Sequence, residues 1–539
     1  MTSFPHLPRK TQIRYKMDVR RYVYIPTRTG ASMACDIYRP CIKGRFPCLC
    51  MQTPYNKNNF DVAEARRYVH AGYVLCAVDI RGTGGSEGEF TYHNVADGKF
   101  DGADIVEWLA EQEFSDGRIG TFGGSAAGVS QLVTAEGKPE HLEAVFIASA
   151  PSNYYHDRWF PGGILNIQQV VRWQEHMTGF ISPDIAVQNV SAKEGSIEAE
   201  GIRIRGGVRQ WRLNRRYERS QEGTWTALQS KYLELCNTPE YGPIWESFNH
   251  EPFLSECEVP VYYAGVWFDH FLRGTCESYL AHKGPKKLIV LPGVQRTHGE
   301  QENVDLMELR LRWFDYWLKG IDNGIMDEPP VSLYVMGTEE WHTFNDWPVP
   351  NDKMQRLVCS ERNMLTGAHG AKPAKYVLRH DPEGPLAGMA GTGIFDMRRY
   401  EEDALVFTTS PLKEDVTIIG GPVLHLRVRC SGEDGHLFVK LCDVFPDGRR
   451  RQVANGRLRL AHRKGHDRPC PMQPGKLEGL DIELWPVANV FRKGHSIRIV
   501  LACSEAPQAR VFPDPFELEI VSEEGALSTL ELPLAKTPR

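Results

Sequence analysis

Residues 117–128 place one serine among small residues, between a strand-like run and a run that can open a helix. The strand-like run ends near Phe122, and small residues follow Ser125 directly. A strand that turns sharply into a helix forces strained backbone angles on the serine, so its neighbours must be small, as Gly123 and Gly128 are. The stretch predicts a nucleophile elbow, with the serine hydroxyl facing the N–H groups at the start of the helix.

The motif reads Gly-x-Ser-x-x-Gly rather than Gly-x-Ser-x-Gly, so by itself it also fits a glycine-rich turn with an ordinary serine. Its surroundings favour a sheet. Tyr73–Asp79 and Ala144–Ala148 are apolar runs without alternation, as expected of strands buried on both faces. Residues 100–113 carry apolar side chains at helical spacing between them. This order predicts a mostly parallel sheet flanked by helices.

Changes in sequence character divide the 539 residues, which are too many for one core. The sheet pattern occupies residues 1–151 and returns over 256–327. Residues 152–255 interrupt it with a helical insertion, the kind of insert that commonly covers an active site. Period-two strands and turns follow over 328–539 and predict a β-sandwich of the jelly-roll type. The predicted class is therefore α/β, with a helical cap and a C-terminal β-sandwich.

Net charge, the N-terminal sequence and the cysteines indicate which classes of partner and which cellular compartment to expect. A net charge of -6 gives no reason to expect nucleic acid or an anionic membrane as a partner. The N-terminus has no apolar signal region, and no apolar run reaches the length of a membrane span. The thirteen cysteines are scattered without a CxxC pair, and Cys48, Cys50 and Cys76 lie in apolar runs. We therefore expect reduced, buried cysteines and a cytoplasmic protein.

A serine nucleophile needs a base, and the base needs an acid to orient it. Asp269 follows the strand-like run Val259–Val266, and His298 follows the next run, Lys287–Leu291. Both positions fit the chain order serine, acid, histidine and the edge at which sites of such sheets form. Taken singly, each could be an ordinary loop residue. His270 is the rival base, but its place beside Asp269 makes that carboxylate a poor orienting group for it.

The reaction also needs donors for the oxyanion. One is expected to be the backbone N–H of Ala126, and the second should come from the loop after the third strand. There Tyr55 offers a phenolic hydroxyl, an uncommon but workable donor. Its alternative is a structural tyrosine that follows a proline.

Several motifs together resemble the cocaine esterase/X-Pro dipeptidyl-peptidase (CocE/NonD) group of serine hydrolases. The resemblance runs from about residue 20 to residue 520. Its motifs, in chain order, are Pro54-Tyr55-Asn56-Lys57, Asp79-Ile80-Arg81-Gly82-Thr83-Gly84-Gly85-Ser86-Glu87-Gly88, Glu107-Trp108-Leu109, Asp116-Gly117-Arg118-Ile119-Gly120, Gly123-Gly124-Ser125-Ala126-Ala127-Gly128, Trp267-Phe268-Asp269, His298-Gly299, Phe314-Asp315-Tyr316-Trp317-Leu318-Lys319-Gly320, Glu328-Pro329-Pro330-Val331, Trp341 and Asp346-Trp347-Pro348. The resemblance implies an α/β-hydrolase core, a helical cap and a jelly roll.

By position, the resemblance implies that Ser125 is the nucleophile, Asp269 the acid and His298 the base. It implies that Tyr55 and the N–H of Ala126 form the oxyanion hole. Asp79, Arg81 and Glu87 match a motif expected to brace the loop beside the elbow.

Three positions depart from the pattern of the group. Ala126 stands where the group often has tyrosine, which should leave the acyl pocket wider. The loop before His298 is longer and lacks the tryptophan of the usual Pro-Trp-x-His. Thr29-Gly30 replaces an Asp-Gly turn.

These features predict a serine hydrolase that cleaves an ester, or alternatively an amide, of a small molecule through an acyl-enzyme, with no metal or organic cofactor implied. One alternative is acyl transfer, or lactone opening or closing, with the same triad. The other is a non-catalytic carbohydrate-binding protein. A homodimer is expected only because jelly-roll surfaces often pair. The candidate pocket aromatics, although aromatic residues of this kind are more often plain core packing, are Trp159, Phe160, Trp173, Trp211 and Trp267.

Overall fold

The computed structural model of the chain describes residues 15–92, 95–181, 227–293, 304–350, 353–384 and 397–535. Over these ranges, ten strands form a first sheet. They are β1 Met17–Pro26, β2 Ser32–Pro40, β3 Phe46–Thr53, β4 Val74–Asp79, β5 Ser115–Gly124, β6 Leu142–Ala148, β7 Val261–Val266, β8 Lys286–Leu291, β9 Val331–Val335 and β10 Glu340–Phe344. Their order across the sheet is β1-β2-β4-β3-β5-β6-β7-β8-β9-β10.

The centre of this sheet is parallel, as the unalternating apolar runs predict. All pairs from β4 through β3 to β9 run parallel, and β1, β2 and β10 are antiparallel at the edges. Every residue of β4 and of β7 is buried. Because parallel strands end at the same edge, the segments that follow β3, β5, β7 and β8 meet there.

Helices cover both faces of the sheet and build the insertion. They are α1 Val62–His70, α2 Val95–Ala110, α3 Ala126–Glu136, α4 Ile167–Ile181, α5 Ala227–Cys236, α6 Pro243–Glu246, α7 Glu251–Leu254, α8 Leu272–Ala281, α9 Leu306–Lys319 and α10 Arg398–Glu401. Helix α9 illustrates how the sequence fixes the two ends of a helix. Its side-chain cap Asp305 accepts from the N–H of Met307, and Gly320 ends it at φ 65°.

The insertion between β6 and β7 is helical in its described parts, which include α4 to α7 and a π-helical turn at Tyr155–Trp159. Trp211, one of the candidate pocket aromatics, lies outside the described residues. Trp159, Phe160 and Trp267 are buried in the core, whereas Trp173 on α4 is half-buried.

Within the described part of the C-terminal region, thirteen strands form one sheet system. They are β11 Lys353–Ser360, β12 Met364–Thr366, β13 Ala374–His380, β14 Leu405–Thr408, β15 Val416–Gly420, β16 Val423–Cys430, β17 His436–Val444, β18 Arg450–Arg459, β19 Glu478–Glu483, β20 Val487–Phe491, β21 Ser496–Ala502, β22 Phe516–Ser522 and β23 Thr529–Leu534. In β16 every second residue is buried, as the period-two pattern predicts.

Strands β9 and β10 pair with the first sheet, so that sheet continues beyond residue 328, where the sequence predicts the sandwich to begin. The residue after β9 then joins the second sheet system. The N–H of Met336 donates to Ala488 O over 3.0 Å, and its carbonyl accepts from Val490 N over 2.8 Å. The chain thus passes from one sheet to the other within a single extended segment.

Among the described helices, none combines the length and the apolar character that crossing a bilayer requires. All thirteen cysteines lie in the described ranges as free thiols, and all but Cys41 and Cys470 are buried. This agrees with the reading of the cysteines as reduced core residues.

Candidate active site

Ser125 occupies the turn between β5 and α3, with backbone angles φ 55° and ψ −128°. A positive φ is uncommon for a residue with a side chain and marks a strained turn. The turn is held from the neighbouring strand, because the N–H of Ser125 donates to Ala148 O at the end of β6 over 2.9 Å. The serine itself is partly exposed. The structure therefore places the serine in the elbow that the sequence predicts.

Two glycines allow the backbone to approach itself in this turn. A Cβ on Gly123 would lie 2.4 Å from the carbonyl oxygen of Ala127. A Cβ on Gly128 would lie 3.0 Å from the Cβ of Ala150. Helix α3 can start directly behind the serine only because these positions lack side chains. The N–H of Ala126 lies in the first turn of that helix, where N–H groups have no helical partner and favour negative charge.

Tyr55 follows β3, in the loop where the second oxyanion donor is expected. Its hydroxyl oxygen accepts a hydrogen bond from Nε1 of Trp173 on α4, over 3.1 Å. A phenolic hydroxyl can accept one hydrogen bond and donate another. The described residues thus place a cap tryptophan against the predicted oxyanion donor, a contact that the sequence gives no means to predict.

The loop that carries Tyr55 is tied to the buried carboxylate of Asp79. This carboxylate accepts from the N–H of Lys57 over 2.5 Å and from the N–H of Gly85 over 2.9 Å. Nζ of Lys57 is 3.0 Å from Oδ1 of Asp36, and both side chains are buried. Buried polar groups that are paired in this way fix a loop, so Asp79 holds the segments after β3 and β4 together.

Arg81, near the start of the same glycine loop, and Glu87, near its end, tie the loop to other segments. Arg81 pairs with Asp101 over 2.6 Å, and Glu87 accepts from the N–H of Ser32 over 2.9 Å. These contacts suit the bracing role that the family resemblance implies for the two residues.

Asp269 lies just beyond β7 and is 1% exposed. Its Oδ1 accepts from the N–H of Phe271 over 3.2 Å, and its Oδ2 has no hydrogen-bond partner within the described part of the chain. Burial raises the pKa of Asp269 to about 6, against hydrogen bonds to the carboxylate that lower it. An acid so enclosed is a strong orienting group for a histidine that reaches Oδ2.

His298, the predicted base, lies outside the described residues. The described range that includes β8 ends at Gly293, whose carbonyl accepts from the N–H of Phe268, next to Asp269, over 3.1 Å. The described end of this range therefore lies beside the acid.

His270, the rival base, comes closer to the acid than its place in the sequence suggests. Its Nδ1 is 3.4 Å from Oδ1 of Asp269, although the two groups form no hydrogen bond. Burial lowers the pKa of His270 to about 3, and the charge of Arg158 adds to this. Such an imidazole is a weak base near neutral pH.

Arg158 is a further charged residue at this edge, in the turn after β6. Its side chain is 2% exposed. Its Cζ lies 4.4 Å from the ring centre of Trp173 and 5.8 Å from that of Tyr154. Sequence reasoning missed it. The available signal was an arginine within the aromatic segment from Tyr154 to Phe160, directly after a buried strand.

Comparison with known proteins agrees with this architecture. Residues 29–298 match the family model of the X-Pro dipeptidyl-peptidase (S15 family), and residues 323–529 match that of the X-Pro dipeptidyl-peptidase C-terminal non-catalytic domain. The chain is 28% identical to a cocaine esterase from Rhodococcus sp. (strain MB1 Bresler) over 90% of this chain and 91% of that protein.

Two solved structures share the fold over nearly the whole length. An aminopeptidase from the archaeon Thaumarchaeota superposes with a TM-score of 0.79 at 20% identity, covering 99% of each chain. A CocE/NonD family hydrolase from Staphylococcus aureus gives a TM-score of 0.76 at 20% identity, covering 96% of this chain and 94% of that one.

Proposed function

Because the chain belongs to the X-Pro dipeptidyl-peptidase (S15) family of α/β-hydrolase enzymes, we propose that it hydrolyses an ester bond of a small molecule with Ser125 as the nucleophile. The observation that carries this proposal is the strained turn at Ser125, closed by glycines at the positions where a Cβ would collide with the helix behind it. Strain of this kind persists where the surrounding structure maintains it, and it clusters at active sites.

In the proposed reaction, Oγ of Ser125 attacks the ester carbonyl carbon while the imidazole of His298 takes its proton. The negative oxygen that forms is stabilised by the N–H of Ala126 and the hydroxyl of Tyr55. The histidine then gives its proton to the departing alcohol, which leaves an acyl-enzyme. Water repeats the sequence and releases the acid. Asp269 orients the imidazole throughout, supported by its position after β7 and its enclosed carboxylate.

An ester is proposed before an amide because an alcohol leaves more readily than an amine. A curated relative that matches nine-tenths of the chain is named an esterase, which supports the same choice. An exopeptidase would also have to hold a free ammonium group. Near the site, the described cap instead contributes the buried cation Arg158.

Labelling with a fluorophosphonate probe tests the nucleophile directly. We expect the full chain to be labelled and the Ser125→Ala variant to remain unlabelled and inactive on 4-nitrophenyl acetate. Ser130→Ala is the matched control, because Ser130 lies one turn along α3 with its hydroxyl on the carbonyl of Ala126, and it should label as the unaltered chain does. Absence of labelling in the unaltered chain, or equal labelling of Ser125→Ala, refutes the proposal.

A further inference from the structure

Arg158 is a buried cation to which the described protein offers no hydrogen-bond acceptor. Its Nε and Nη2 are both enclosed and unpartnered within the described residues. The adjacent carboxylate of Asp157 is already occupied, because it accepts from Nη1 of Arg273 over 2.7 Å and from the N–H of Ser152 over 2.9 Å. The compensation that Arg158 does receive comes from the faces of Trp173 and Tyr154.

The two unpartnered nitrogens form one side of the guanidinium plane. Nε–H and Nη2–H point in the same direction, and together they match the two oxygens of a carboxylate in a bidentate pair. A fully buried arginine is normally paired, because a buried charge without a partner is costly. This donor edge therefore has the form of a site for an anion that the described protein does not supply.

The edge lies within the reacting end of the molecule. One aromatic ring, that of Trp173, separates Arg158 from Tyr55, since the same indole contacts the guanidinium face and donates to the phenol. On another side, the charge of Arg158 acts on His270, which is 3.4 Å from the proposed acid. The turn that carries Arg158 follows β6, the strand next to β5, which leads directly into Ser125.

We propose that Arg158 binds a carboxylate carried by the substrate, so that the enzyme prefers esters with a second, free acidic group. This inference rests on the proposed esterase function and adds the substrate class to it. A carboxylate that reaches this enclosed edge leaves bulk water, and there a charge-assisted pair is strongest. Recognition at Arg158 fixes the ester at a set distance from Ser125 and Tyr55.

Matched ester pairs test this with the carboxylate on either side of the scissile bond. In the first pair, mono(4-nitrophenyl) adipate is compared with its methyl ester, which places the charge on the acyl side. In the second pair, 4-acetoxybenzoate is compared with methyl 4-acetoxybenzoate, which places it on the alcohol side. We expect kcat/KM of the unaltered enzyme to be about tenfold or more higher for the acid than for its methyl ester in one of the pairs.

Arg158→Gln should lose this preference while it keeps activity on the neutral esters within about threefold. Arg172→Gln is the control: Arg172 is exposed on α4 beside Trp173, so its loss removes the same charge from the same region and should leave the preference intact. Arg158→Lys keeps the charge without the planar fork and should show an intermediate preference. Adipate itself should protect the unaltered chain, but not Arg158→Gln, against fluorophosphonate labelling.

The outcomes separate the two proposals. If the unaltered chain labels with the probe and cleaves the neutral esters but shows no preference for the acid in either pair, the carboxylate site is refuted and the esterase function stands. Equal losses on acid and neutral esters in Arg158→Gln also refute the site, because they indicate a role in packing. If the chain neither labels nor cleaves any of the esters, both proposals fail. Even if the variants do not fold, the presence or absence of a preference for the acid in the unaltered enzyme tests the carboxylate site.

Discussion

Replacing Asp269 by asparagine measures what it costs the folded protein to enclose this carboxylate. The pKa of Asp269 is displaced by burial from its ordinary 3.8 to about 6. At about 1.4 kcal/mol for each step of one in pKa, the displacement corresponds to about 3 kcal/mol. Solvent screening reduces this free energy only slightly, because Asp269 is 1% exposed. Asparagine has nearly the same shape and no charge to bury.

The sign of the effect follows from the direction of the pKa shift. A carboxyl whose pKa is raised by folding contributes stability that is fully present below its unfolded pKa and lost as the pH rises through its folded pKa. For Asp269 this loss of stability takes place between about pH 4 and about pH 6, and it is complete near pH 7.5. We therefore expect Asp269→Asn to be more stable than the unaltered chain by up to about 3 kcal/mol at about pH 7.5, with a difference that shrinks toward pH 4.5. The variant should nevertheless be nearly inactive, since its base loses the orienting charge.

Urea unfolding followed by tryptophan fluorescence provides the assay, because Trp267 and Trp313 lie buried in the first domain and report its transition. Asp447→Asn serves as the control. Asp447 is exposed, and hydrogen bonds from Arg449 lower its pKa, so its replacement should give no gain as the pH rises. A difference between Asp269→Asn and the unaltered chain that does not change with pH refutes the reasoning, and so does a loss of stability near neutral pH.

The elbow and the oxyanion donor give two further expectations. Gly123→Ala should destabilise the chain by about 1–3 kcal/mol, because its Cβ would meet Ala127 O at 2.4 Å, whereas Gly124→Ala, with nothing nearer than 3.5 Å, should be close to neutral. Equal shifts in their urea midpoints would contradict the elbow geometry. Tyr55→Phe should lower kcat on 4-nitrophenyl acetate by about 10² to 10³ with KM little changed. A kcat of the variant within about threefold of that of the unaltered enzyme would contradict the role of Tyr55 as an oxyanion donor.

The elbow could be predicted from sequence because its requirements are local. A serine in a positive-φ turn needs small neighbours, and that need is written directly into Gly123 and Gly128. The parallel core was predictable for a similar reason. Strands that are buried on both faces do not alternate polar with apolar residues, and β4 is an example. The position of Asp269 after β7 follows from chain order within such a sheet. The identity of the base stays a prediction at His298.

Contacts between distant segments could not be predicted. Arg158 is on a turn after β6, and its contact with Trp173 on α4 is identified only in the folded structure. An arginine in sequence is expected at the surface, and nothing local shows that Asp157 is already paired with Arg273. Likewise, the mostly apolar residues of β9 fit either sheet, so their pairing with β8 is decided by tertiary structure.

Because the first sheet continues through β9 and β10, it determines where the chain can be truncated or divided into domains. A chain that ended before residue 328 would lose both strands and leave the apolar strand β8 as an open edge, a template for self-association. Exchange of the C-terminal domain between relatives should therefore place the junction after Phe344 and preserve the bonds of Met336 to Ala488 and Val490. A family-model boundary at residue 323 marks a change in sequence pattern, whereas the unit that folds ends later.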